Sequence, residues 1–527
     1  MSTVREAFLA FCRDAGMTRW FGNPGSTELR MLRDWPDDFS YVLALQEASA
    51  VGIAAGQAIA TGRPALVTLH SAGGVGHALG AIFNAYRDRV PLVVVAGQQT
   101  RAMLPTRPFL SADEPAVFPR PYVRWSHQPS HAAAVPTALA EAFRVALTPP
   151  RGPVFLSVPE DDWDTPADPV PARAVRTAFV AAPDALREVA SSLRTARAPA
   201  IVAGPGIDED GAWAEAVTLA ETLGAAVWAP PMPSRAAFPE DHPLFQGHLP
   251  PVRSSLASLL SANDVVLVVG APVFTYHVHT EGPFLSSGTV LFHLDCDPAA
   301  AAWAATGTSI LTTVRAGLTE LIRHLEPSSR PAAPPPVRAR PPAPPVTDPL
   351  TAAAVLGALA AARPPGSVLV EEAPSHKDTL HEQIPITRPL GYVTTGSGAL
   401  GWGLPVAVGR ALCGEQVICV LGDGSSLYSI QSLWTAAQHR APLTVIVLNN
   451  SRYEAVSALG RRLGIPKIPG TDLPGLDLPS IARGFGCPAT RVTHAAELVP
   501  ALTRALTTDG PFLLDVAVTP GTSPLYP

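Results

Sequence analysis

Two short stretches near the C-terminus, Gly422-Asp423-Gly424-Ser425 and Leu448-Asn449-Asn450, decide the fold class of this chain. The apolar run 416–421 before the first stretch predicts a buried strand. Residues 426–440 predict a helix, and residues 443–448 predict the next strand. A strand, a turn, a helix and a second strand in this order form the crossover unit of a parallel sheet. The stretch therefore predicts an α/β fold.

The polar residues of the two stretches suit a diphosphate held through a metal ion. Gly422 and Gly424 let the backbone approach a ligand closely, and the start of the following helix presents N–H groups to an anion. The carboxylate of Asp423 and the amide oxygen of Asn450 are hard ligands of the kind Mg2+ prefers. Asp423 alone would also suit a plain polar strand end. The joint pattern favours the metal-bound diphosphate.

The composition sets the broad class of the protein. A chain of 527 residues, 47% of them hydrophobic, has the material for about three domains of ~100–200 residues. Its net charge of -6 offers no basic surface for nucleic acid. No apolar run reaches the ~18 residues of a membrane helix. The N-terminus does not resemble a signal peptide, and five cysteines argue against a disulfide framework. We expect a cytoplasmic protein.

Strand and helix patterns alternate along most of the chain, which predicts three doubly wound parallel-sheet domains. The patterns place the domains at residues 1–165, 182–326 and 350–527. Residues 327–349 are so rich in proline that they exclude helices and sheet ladders, and they predict a semi-rigid extended linker. We see no short tandem repeat, but the first and third domains could be structural relatives.

Three polar residues stand where strands of the first domain give way to helices. Ser26 follows the strand 19–22, Glu47 begins a helix, and His70 ends the strand 65–70. Ligands bind at the carboxyl ends of strands in open parallel sheets, which makes all three candidate site residues. The structural alternatives are an N-cap for Ser26 with Glu28 nearby, a favourable helix-dipole contact for Glu47, and a packing role for His70.

Two further motifs allow other interpretations. His277 and His279 follow a strand of the middle domain at a spacing that suggests a metal, but no carboxylate or cysteine nearby completes a ligand set. Residues 396–401 match G-x-G-x-x-G, which could mark a nicotinamide-dependent dehydrogenase. The acidic residue that this fingerprint requires would be Asp423, which the diphosphate already uses.

Taken together, these residues resemble those of thiamine-diphosphate-dependent enzymes, and most closely the benzoylformate decarboxylase branch. The similarity extends over nearly the whole chain. The stretches that carry it include Phe21–Ser26, Leu43–Ala48, Leu69–Ala72, Ala96–Met103, Leu156–Pro159, Gly270–Phe274 and Leu433–Gln438.

The resemblance implies thiamine diphosphate and Mg2+ as cofactors. Glu47 is similar to the glutamate that hydrogen-bonds the aminopyrimidine ring and drives formation of the ylid. Ser26 and His70 are similar to the polar residues on the substrate side, and His277 to a second acid–base histidine. The metal ligands that it implies are Asp423, Asn450 and the backbone carbonyl of Arg452. The other cofactor-contacting positions are Gly398, Leu400, Gly422, Gly424, Ser425 and Tyr453, with Leu400 propping the cofactor in its bent shape.

The resemblance also implies an architecture and a reaction. Its three domains would be pyrimidine-binding, middle and diphosphate-binding, in a homotetramer with active sites between subunits. The reaction would be non-oxidative decarboxylation of a benzoylformate-like 2-oxo acid to aldehyde and CO2, through an ylid and an enamine, by a carboxy-lyase. The alternatives are a carboligase of the same superfamily, which forms acyloins, and a non-catalytic scaffold. Retention of Ser26, Glu47, His70 and His277 argues against the scaffold.

This chain departs from the family pattern at a few positions. Pro374 replaces a small hydroxyl residue that contacts the cofactor, and proline cannot donate a hydrogen bond. Arg452 replaces a smaller residue, which a backbone ligand tolerates. Two substrate-pocket phenylalanines become Thr394 and Leu459, whereas Leu110 stays apolar. An altered pocket leaves the 2-oxo acid, the stereochemistry and the pathway open.

Overall fold

The structure is a computed structural model and describes residues 2–325 and 335–521. Its strands form three six-stranded sheets in which every pairing between neighbouring strands is parallel. The predicted α/β class with three parallel-sheet domains is therefore confirmed. None of the helices among the described residues is both long and apolar enough to cross a bilayer.

The first sheet has the strand order β2-β1-β3-β4-β6-β5. Its central strands are buried along their whole length, as expected where helices cover both faces of a parallel sheet. The elements are α1 (Val4–Ala15), β1 (Arg19–Gly22), α2 (Leu29–Leu32), β2 (Ser40–Leu43), α3 (Glu47–Thr61), β3 (Ala65–Leu69), α4 (Ser71–Arg87), β4 (Leu92–Gln98), β5 (Trp125–His127), α5 (Val135–Leu147) and β6 (Pro153–Pro159).

The second sheet has the order β12-β11-β10-β7-β8-β9, with a change of winding direction between β7 and β10. Its elements are α6 (Pro183–Thr195), β7 (Pro199–Ala203), α7 (Gly206–Glu209), α8 (Trp213–Leu223), β8 (Ala226–Ala229), β9 (Phe245–His248), α9 (Arg253–Leu259), β10 (Val265–Val269), β11 (Val290–Asp295), α10 (Pro298–Ala302), β12 (Thr308–Leu311) and α11 (Val314–Arg323).

The third sheet has the order β14-β13-β15-β16-β18-β17, which repeats the winding of the first sheet strand for strand. The first and third domains are therefore structural relatives. The elements are α12 (Ala352–Ala362), β13 (Val368–Glu372), α13 (Lys377–Gln383), β14 (Tyr392–Val393), α14 (Gly403–Ala411), β15 (Val417–Gly422), α15 (Asp423–Ser426), α16 (Ser432–Gln438), β16 (Leu443–Asn449), α17 (Glu454–Arg462), α18 (Leu478–Gly484), β17 (Ala489–Val492), α19 (Ala495–Thr507) and β18 (Phe512–Ala517).

The proline-rich segment between the second and third domains is described from residue 335 onwards. Residues 335–347 contain neither helix nor strand, as the predicted linker requires. The remaining part of the predicted linker, residues 327–334, lies outside the described residues, as does residue 326 at the predicted end of the middle domain.

The predicted helix over residues 426–440 is wrong in its extent. The chain forms the short helix α15 directly at Asp423, continues through turns, and resumes as α16 at Ser432. Serines recur through this segment, and the Ser426 hydroxyl donates to the Asp423 carbonyl. Serine side chains compete in this way for backbone groups, which disfavours one continuous helix.

One hydrophobic core joins the first and third domains. Helices α3 and α14 cross in contact and contribute Val51 and Ile53 from one side and Leu404 and Val408 from the other. A Cβ atom at Gly56 would lie 2.2 Å from the Val406 carbonyl oxygen, so the crossing requires glycine there. This packing sets the position of α3, the helix that begins with Glu47.

Candidate active site

Nearly all candidate residues lie at the carboxyl ends of strands, at the points where the winding of a sheet changes direction. In the first domain, the loops after β1 and β3 carry Ser26 and His70, and these strands are neighbours. In the third domain, Asp423 follows β15 directly, and β15 pairs with β13. Open α/β sheets bind ligands at such switch points.

The loop after β1 passes directly over the ring of His70. A Cβ atom at Gly25 would lie 2.3 Å from Cγ and Nδ1 of that ring, so only glycine permits this approach. Ser26 is exposed at the start of a short 3-10 turn, and the cap of the turn is Gly25. The N-cap alternative for Ser26 is therefore wrong, and its side chain is exposed in the loop that passes over His70.

A buried carboxylate and a threonine hold the His70 ring. The Nδ1 atom of His70 lies 3.0 Å from Oγ1 of Thr27 and 3.3 Å from Oε2 of Glu28. Because the Thr27 hydroxyl donates to Oε1 of Glu28, its oxygen is left to accept a proton from Nδ1–H. This arrangement leaves Nε2 of the neutral ring to exchange protons with a ligand.

Glu28 contacts His70, although the sequence suggested it only as part of a cap. It is 1% exposed, and Gly25 donates a backbone hydrogen bond to it. Burial raises the pKa of Glu28, and the neighbouring hydrogen bonds and His70 oppose this shift. In the sequence, Glu28 stands two residues after Ser26, which suits a helix cap. That local explanation gave no reason to expect a contact with His70, which lies about forty residues further along the chain.

Glu47 begins α3 as predicted, and its side chain is largely buried. Its Oε1 atom accepts from the side chain of Asn23 at 3.4 Å, and its Oε2 atom lies 3.2 Å from Nδ1 of His77. The loop after β1 and helix α4 thus hold opposite sides of one carboxylate. His77 was not predicted, because its contact depends on how α3 packs against α4.

The predicted metal ligands of the third domain converge on one backbone N–H group. The amide nitrogen of Arg452 lies 3.0 Å from Oδ2 of Asp423 and 3.1 Å from Oδ1 of Asn450. The second oxygen of Asp423 accepts from the Gly424 N–H group. Burial raises the pKa of Asp423, a cost that a bound cation would offset. Two oxygen atoms of the kind that bind cations therefore lie close together, with Asp423 buried and Asn450 partly buried.

The unusual Arg452 keeps its charge away from these oxygens. Its guanidinium pairs with Glu454 at 3.3 Å and with Asp472 at 3.8 Å. Its carbonyl oxygen accepts from the Glu454 N–H group, which leaves one lone pair for a cation. The backbone carbonyl can thus serve as a ligand whatever the side chain.

The glycine-rich segment 396–401 is held by carboxylate and amide side chains. Oε1 of Glu372 accepts from the Gly401 N–H group at 2.7 Å, and Oε2 accepts from Trp402 and Gly403. Burial raises the pKa of Glu372 to about 7. Because this carboxylate occupies the N–H groups at the start of α14, the pyrophosphate of a dinucleotide has no place there. The dehydrogenase alternative therefore loses its structural basis.

Helix α4 anchors the same segment from the first domain. The side-chain nitrogen of Asn84 donates to the Ala399 carbonyl at 3.0 Å, and Asp88 accepts from the Gly396 N–H group at 3.1 Å. Gly398 has a φ of 78°, which only glycine adopts without strain, and open space surrounds the Cβ position. Leu400 is partly buried at the end of this segment.

The other predicted cofactor positions surround Asp423. Gly424 is packed so closely that a Cβ atom would lie 2.3 Å from the ring of Tyr453. Ser425 is buried, whereas Tyr453 is partly accessible. Gly422 ends β15 and caps the short helix α15. These small residues let the backbone pack closely around Asp423.

The predicted pocket residues differ in their surroundings. Leu110 is partly exposed in a left-handed conformation with a φ of 63°, and Phe109 beside it is exposed. Leu459 is partly buried on α17. Thr394 is buried, and its hydroxyl donates to Glu371 at 2.9 Å. Pro374 is exposed in the turn between β13 and α13.

The candidate residues form two groups within one chain. Ser26, Glu47 and His70 lie on the first domain, and Asp423 and Asn450 lie on the third. Within the described residues, no hydrogen bond joins the first group to the second. His277 lies exposed on a middle-domain loop, where its N–H group donates to the Pro251 carbonyl.

Both groups fit the implied cofactor. The clustered oxygens of Asp423 and Asn450 suit Mg2+ with open positions for a diphosphate, and Gly398 leaves the space that a side chain would fill. Glu47 offers a buried carboxylate for a ring nitrogen.

Comparison with known proteins gives consistent matches along the chain. Residues 2–116 match the thiamine pyrophosphate enzyme N-terminal TPP binding domain, residues 186–321 the central domain, and residues 373–516 the C-terminal TPP binding domain. Benzoylformate decarboxylase of Pseudomonas aeruginosa is 41% identical over 523 residues, which cover 98% of this chain and 99% of that protein.

Two solved structures are also similar throughout. The crystal structure of benzoylformate decarboxylase from Polynucleobacter necessarius has a TM-score of 0.97 and 37% identity, and the match covers 100% of both chains. The thiamine diphosphate-dependent 4-hydroxybenzoylformate decarboxylase of Rhodococcus jostii has a TM-score of 0.96 and 39% identity, covering 99% of this chain and 100% of that one.

Proposed function

The chain belongs to the thiamine pyrophosphate enzyme family, and on this premise we propose which of its residues carry out its chemistry. It is a thiamine-diphosphate-dependent carboxy-lyase that decarboxylates a 2-oxo acid without oxidation. The proposed substrate class is an aryl 2-oxo acid of the benzoylformate type, with aldehyde and CO2 as products. The proposed domains are pyrimidine-binding (1–165), middle (182–326) and diphosphate-binding (350–527).

The proposed cofactor site draws on the first and third domains. Asp423, Asn450 and the Arg452 carbonyl would hold Mg2+, and Gly398, Leu400, Gly422, Gly424, Ser425 and Tyr453 would surround the cofactor. Glu47 would bind the aminopyrimidine ring. When bound, thiamine diphosphate supplies the carbon nucleophile and the electron sink that lets CO2 leave.

The first domain supplies most of the proton chemistry, and the middle domain contributes His277. Glu47 holds a proton between its carboxylate and the ring nitrogen that it binds. The Ser26 hydroxyl donates to the carboxylate of the substrate and orients it. His70, once protonated at Nε2, donates to the oxygen of the keto group as negative charge develops there. Before this donation, Glu28 stabilises the positive charge of the protonated ring through Nδ1. His277 of the middle domain, or His70, then supplies the proton that precedes release of the aldehyde.

A single observation carries this proposal: the His70 ring is fixed by Glu28 and Thr27 in the same loop that presents Ser26. A histidine with Nδ1 bound to a carboxylate–hydroxyl pair and Nε2 left to a ligand is arranged for acid–base work. A packing role would not require a buried carboxylate against its ring.

The first experiment compares substrates. With thiamine diphosphate and Mg2+ supplied, a panel of aryl and alkyl 2-oxo acids is assayed for CO2 release, and aldehydes are assayed for acyloin. We expect CO2 from aryl substrates. Acyloin formation without CO2 release from any 2-oxo acid would favour the carboligase instead.

The second experiment removes the two polar groups. We expect Ser26→Ala and His70→Ala each to lower kcat/KM for decarboxylation at least about tenfold, because acid–base groups typically contribute ~10²–10⁴-fold. Cofactor affinity, measured by fluorescence titration, should not change, since neither residue lies in the diphosphate group. Wild-type rates in both variants would refute their roles.

We also propose that each active site forms between two chains of a homotetramer, because the two residue groups share no hydrogen bond in one chain. Apolar side chains are exposed beside both groups, with Phe109 near the first and Tyr428 near the second. Mixing Glu47→Gln chains with Asp423→Ala chains, each inactive alone, should restore about a quarter of wild-type activity in randomly assorted dimers. Sites built within single chains would show no recovery.

We propose a cytoplasmic location. Cys12, Cys419 and Cys487 are buried free thiols, which suits a reducing compartment. The proposed partners are small-molecule substrates and further copies of this chain. Fractionation of cells that produce the tagged protein would test the location.

A further inference from the structure

Two histidines and a glutamate meet where the second domain contacts the third, apart from the candidate active-site residues. Glu240 lies in the loop before β9, His248 ends β9, and His381 lies on α13. Oε1 of Glu240, Nε2 of His248 and Nδ1 of His381 all lie within 4.8 Å of one another. The three side chains come from segments far apart in sequence.

Two of the separations between the donor atoms bracket the distance expected between ligands of one metal ion. Oε1 of Glu240 is 2.8 Å from Nδ1 of His381 and 3.8 Å from Nε2 of His248. With metal–ligand bonds of about 2.0–2.2 Å, tetrahedral ligands lie about 3.4 Å apart. The observed distances fall on both sides of that value.

His381 has no other use for its ring nitrogens. It is 3% exposed, and neither nitrogen makes a hydrogen bond to the described residues. Nδ1 approaches Glu240 closely but without the alignment of a hydrogen bond. Burial disfavours the charged form of the ring and lowers the pKa of His381 to about 3. An orphaned buried nitrogen is costly unless a ligand satisfies it.

Glu240 is oriented toward the histidines by the backbone. Its Oε2 atom accepts from the Ile386 N–H group at 3.0 Å, which leaves Oε1 to face the two rings. The His248 and His381 rings lie with centroids 4.3 Å apart. His248 is the most accessible of the three, with 16% of its side chain exposed.

Charges of both signs surround the cluster. The positive charge of Lys377 lowers the pKa of both histidines, and the charges of Arg338 and Arg340 lower the pKa of Glu240. The negative charges of Glu371 and Asp378 raise the pKa of His381. Because these carboxylates offset the cations, the local field does not exclude a divalent ion.

We propose that Glu240, His248 and His381 form a second metal site, distinct from the magnesium site, that binds Zn2+. Two imidazoles and one carboxylate are a ligand set that zinc prefers, whereas Mg2+ prefers oxygen ligands throughout. The bound ion fastens β9 of the second domain to α13 of the third. Helix α13 directly follows the turn that carries Pro374, so the ion also steadies that turn.

The test measures zinc in the holoenzyme. The protein is stripped with a chelator, saturated again with thiamine diphosphate and excess Mg2+, given Zn2+, dialysed and analysed by mass spectrometry for metals. We expect one retained zinc per chain in the wild type, and none in His248→Gln and His381→Gln. His242→Gln serves as the matched control, because His242 lies in the same region but pairs with Glu221, and it should retain the zinc.

A Co2+ titration of the wild type keeps the test independent of variant folding. Co2+ bound by imidazoles in a four- or five-coordinate site absorbs strongly in the visible region, whereas Co2+ at an all-oxygen magnesium site absorbs weakly. A strong band that Zn2+ abolishes supports the proposal. Its absence, or equal zinc retention in the wild type and the His248→Gln/His381→Gln double variant, overturns it.

Discussion

Replacing Gly25 by alanine tests whether the position of the His70 ring sets the rate. Gly25 has a φ of -122° and a ψ of -174°, an extended conformation that alanine also adopts, so the substitution brings no backbone strain. The new methyl group would instead lie 2.3 Å from Cγ and Nδ1 of His70. Unstrained carbon contacts are about 3.5–4.0 Å.

The expected loss follows from this overlap. The ring must move by more than about 1 Å to accept the methyl group, and a misplacement of that size can cost ~10²-fold in rate. The corresponding change in activation free energy is about 2.7 kcal/mol, since each tenfold is about 1.36 kcal/mol. The overlap also costs about 1–3 kcal/mol of stability.

The assay follows kcat/KM for CO2 release from an aryl 2-oxo acid, together with cofactor affinity and the thermal midpoint. Cofactor affinity should stay at the wild-type level because Gly25 is not among the residues around Asp423. Gly80→Ala on α4 is the control, since a Cβ atom there meets no neighbour within 4 Å. A Gly25→Ala enzyme within threefold of wild type, folded and saturated with cofactor, would show that the placement of His70 does not limit the reaction.

Three further predictions concern the cofactor-side residues. Glu47→Gln should abolish rapid hydrogen exchange at thiazolium C2, followed by NMR, because the carboxylate holds the proton; unchanged exchange would disprove its role. Arg452→Ala should retain the Mg2+ dependence of activity, because Arg452 contributes only its carbonyl, whereas Asp423→Ala should lose it. Equal losses of both variants in Mg2+ titrations would contradict this. Burial raises the pKa of Glu372 to about 7, so its stabilising contribution is complete below pH 4.5 and is lost as pH rises through 7. Glu372→Gln should therefore flatten the fall in thermal midpoint between pH 5 and 8; a parallel fall in both proteins would count against this assignment.

The regular patterns of the chain made much of the fold predictable. The strands predicted over residues 19–22 and 443–448 correspond to β1 and β16, because buried strands follow local patterns of apolar residues. The break between α15 and α16 escaped prediction. Serine side chains bind backbone groups there, and helical periodicity does not reveal that competition.

The residues of the candidate site likewise include some that the sequence could predict and others that it could not. Asp423, Asn450, Glu47 and His70 could be named from the sequence because their chemistry and their place at strand ends are local properties. Glu372 could not, because its role depends on contacts with residues about thirty positions away.

By itself, the sequence determined the fold class and the cofactor and predicted the polar residues proposed to serve it, because motifs at the ends of strands consist of consecutive residues. Only the tertiary structure decided which partners hold those residues. Loops and helices that are distant in sequence meet through long-range packing, and the contacts between them cannot be seen in the sequence. These contacts are Glu28 with His70, His77 with Glu47, and Glu240 with His248 and His381.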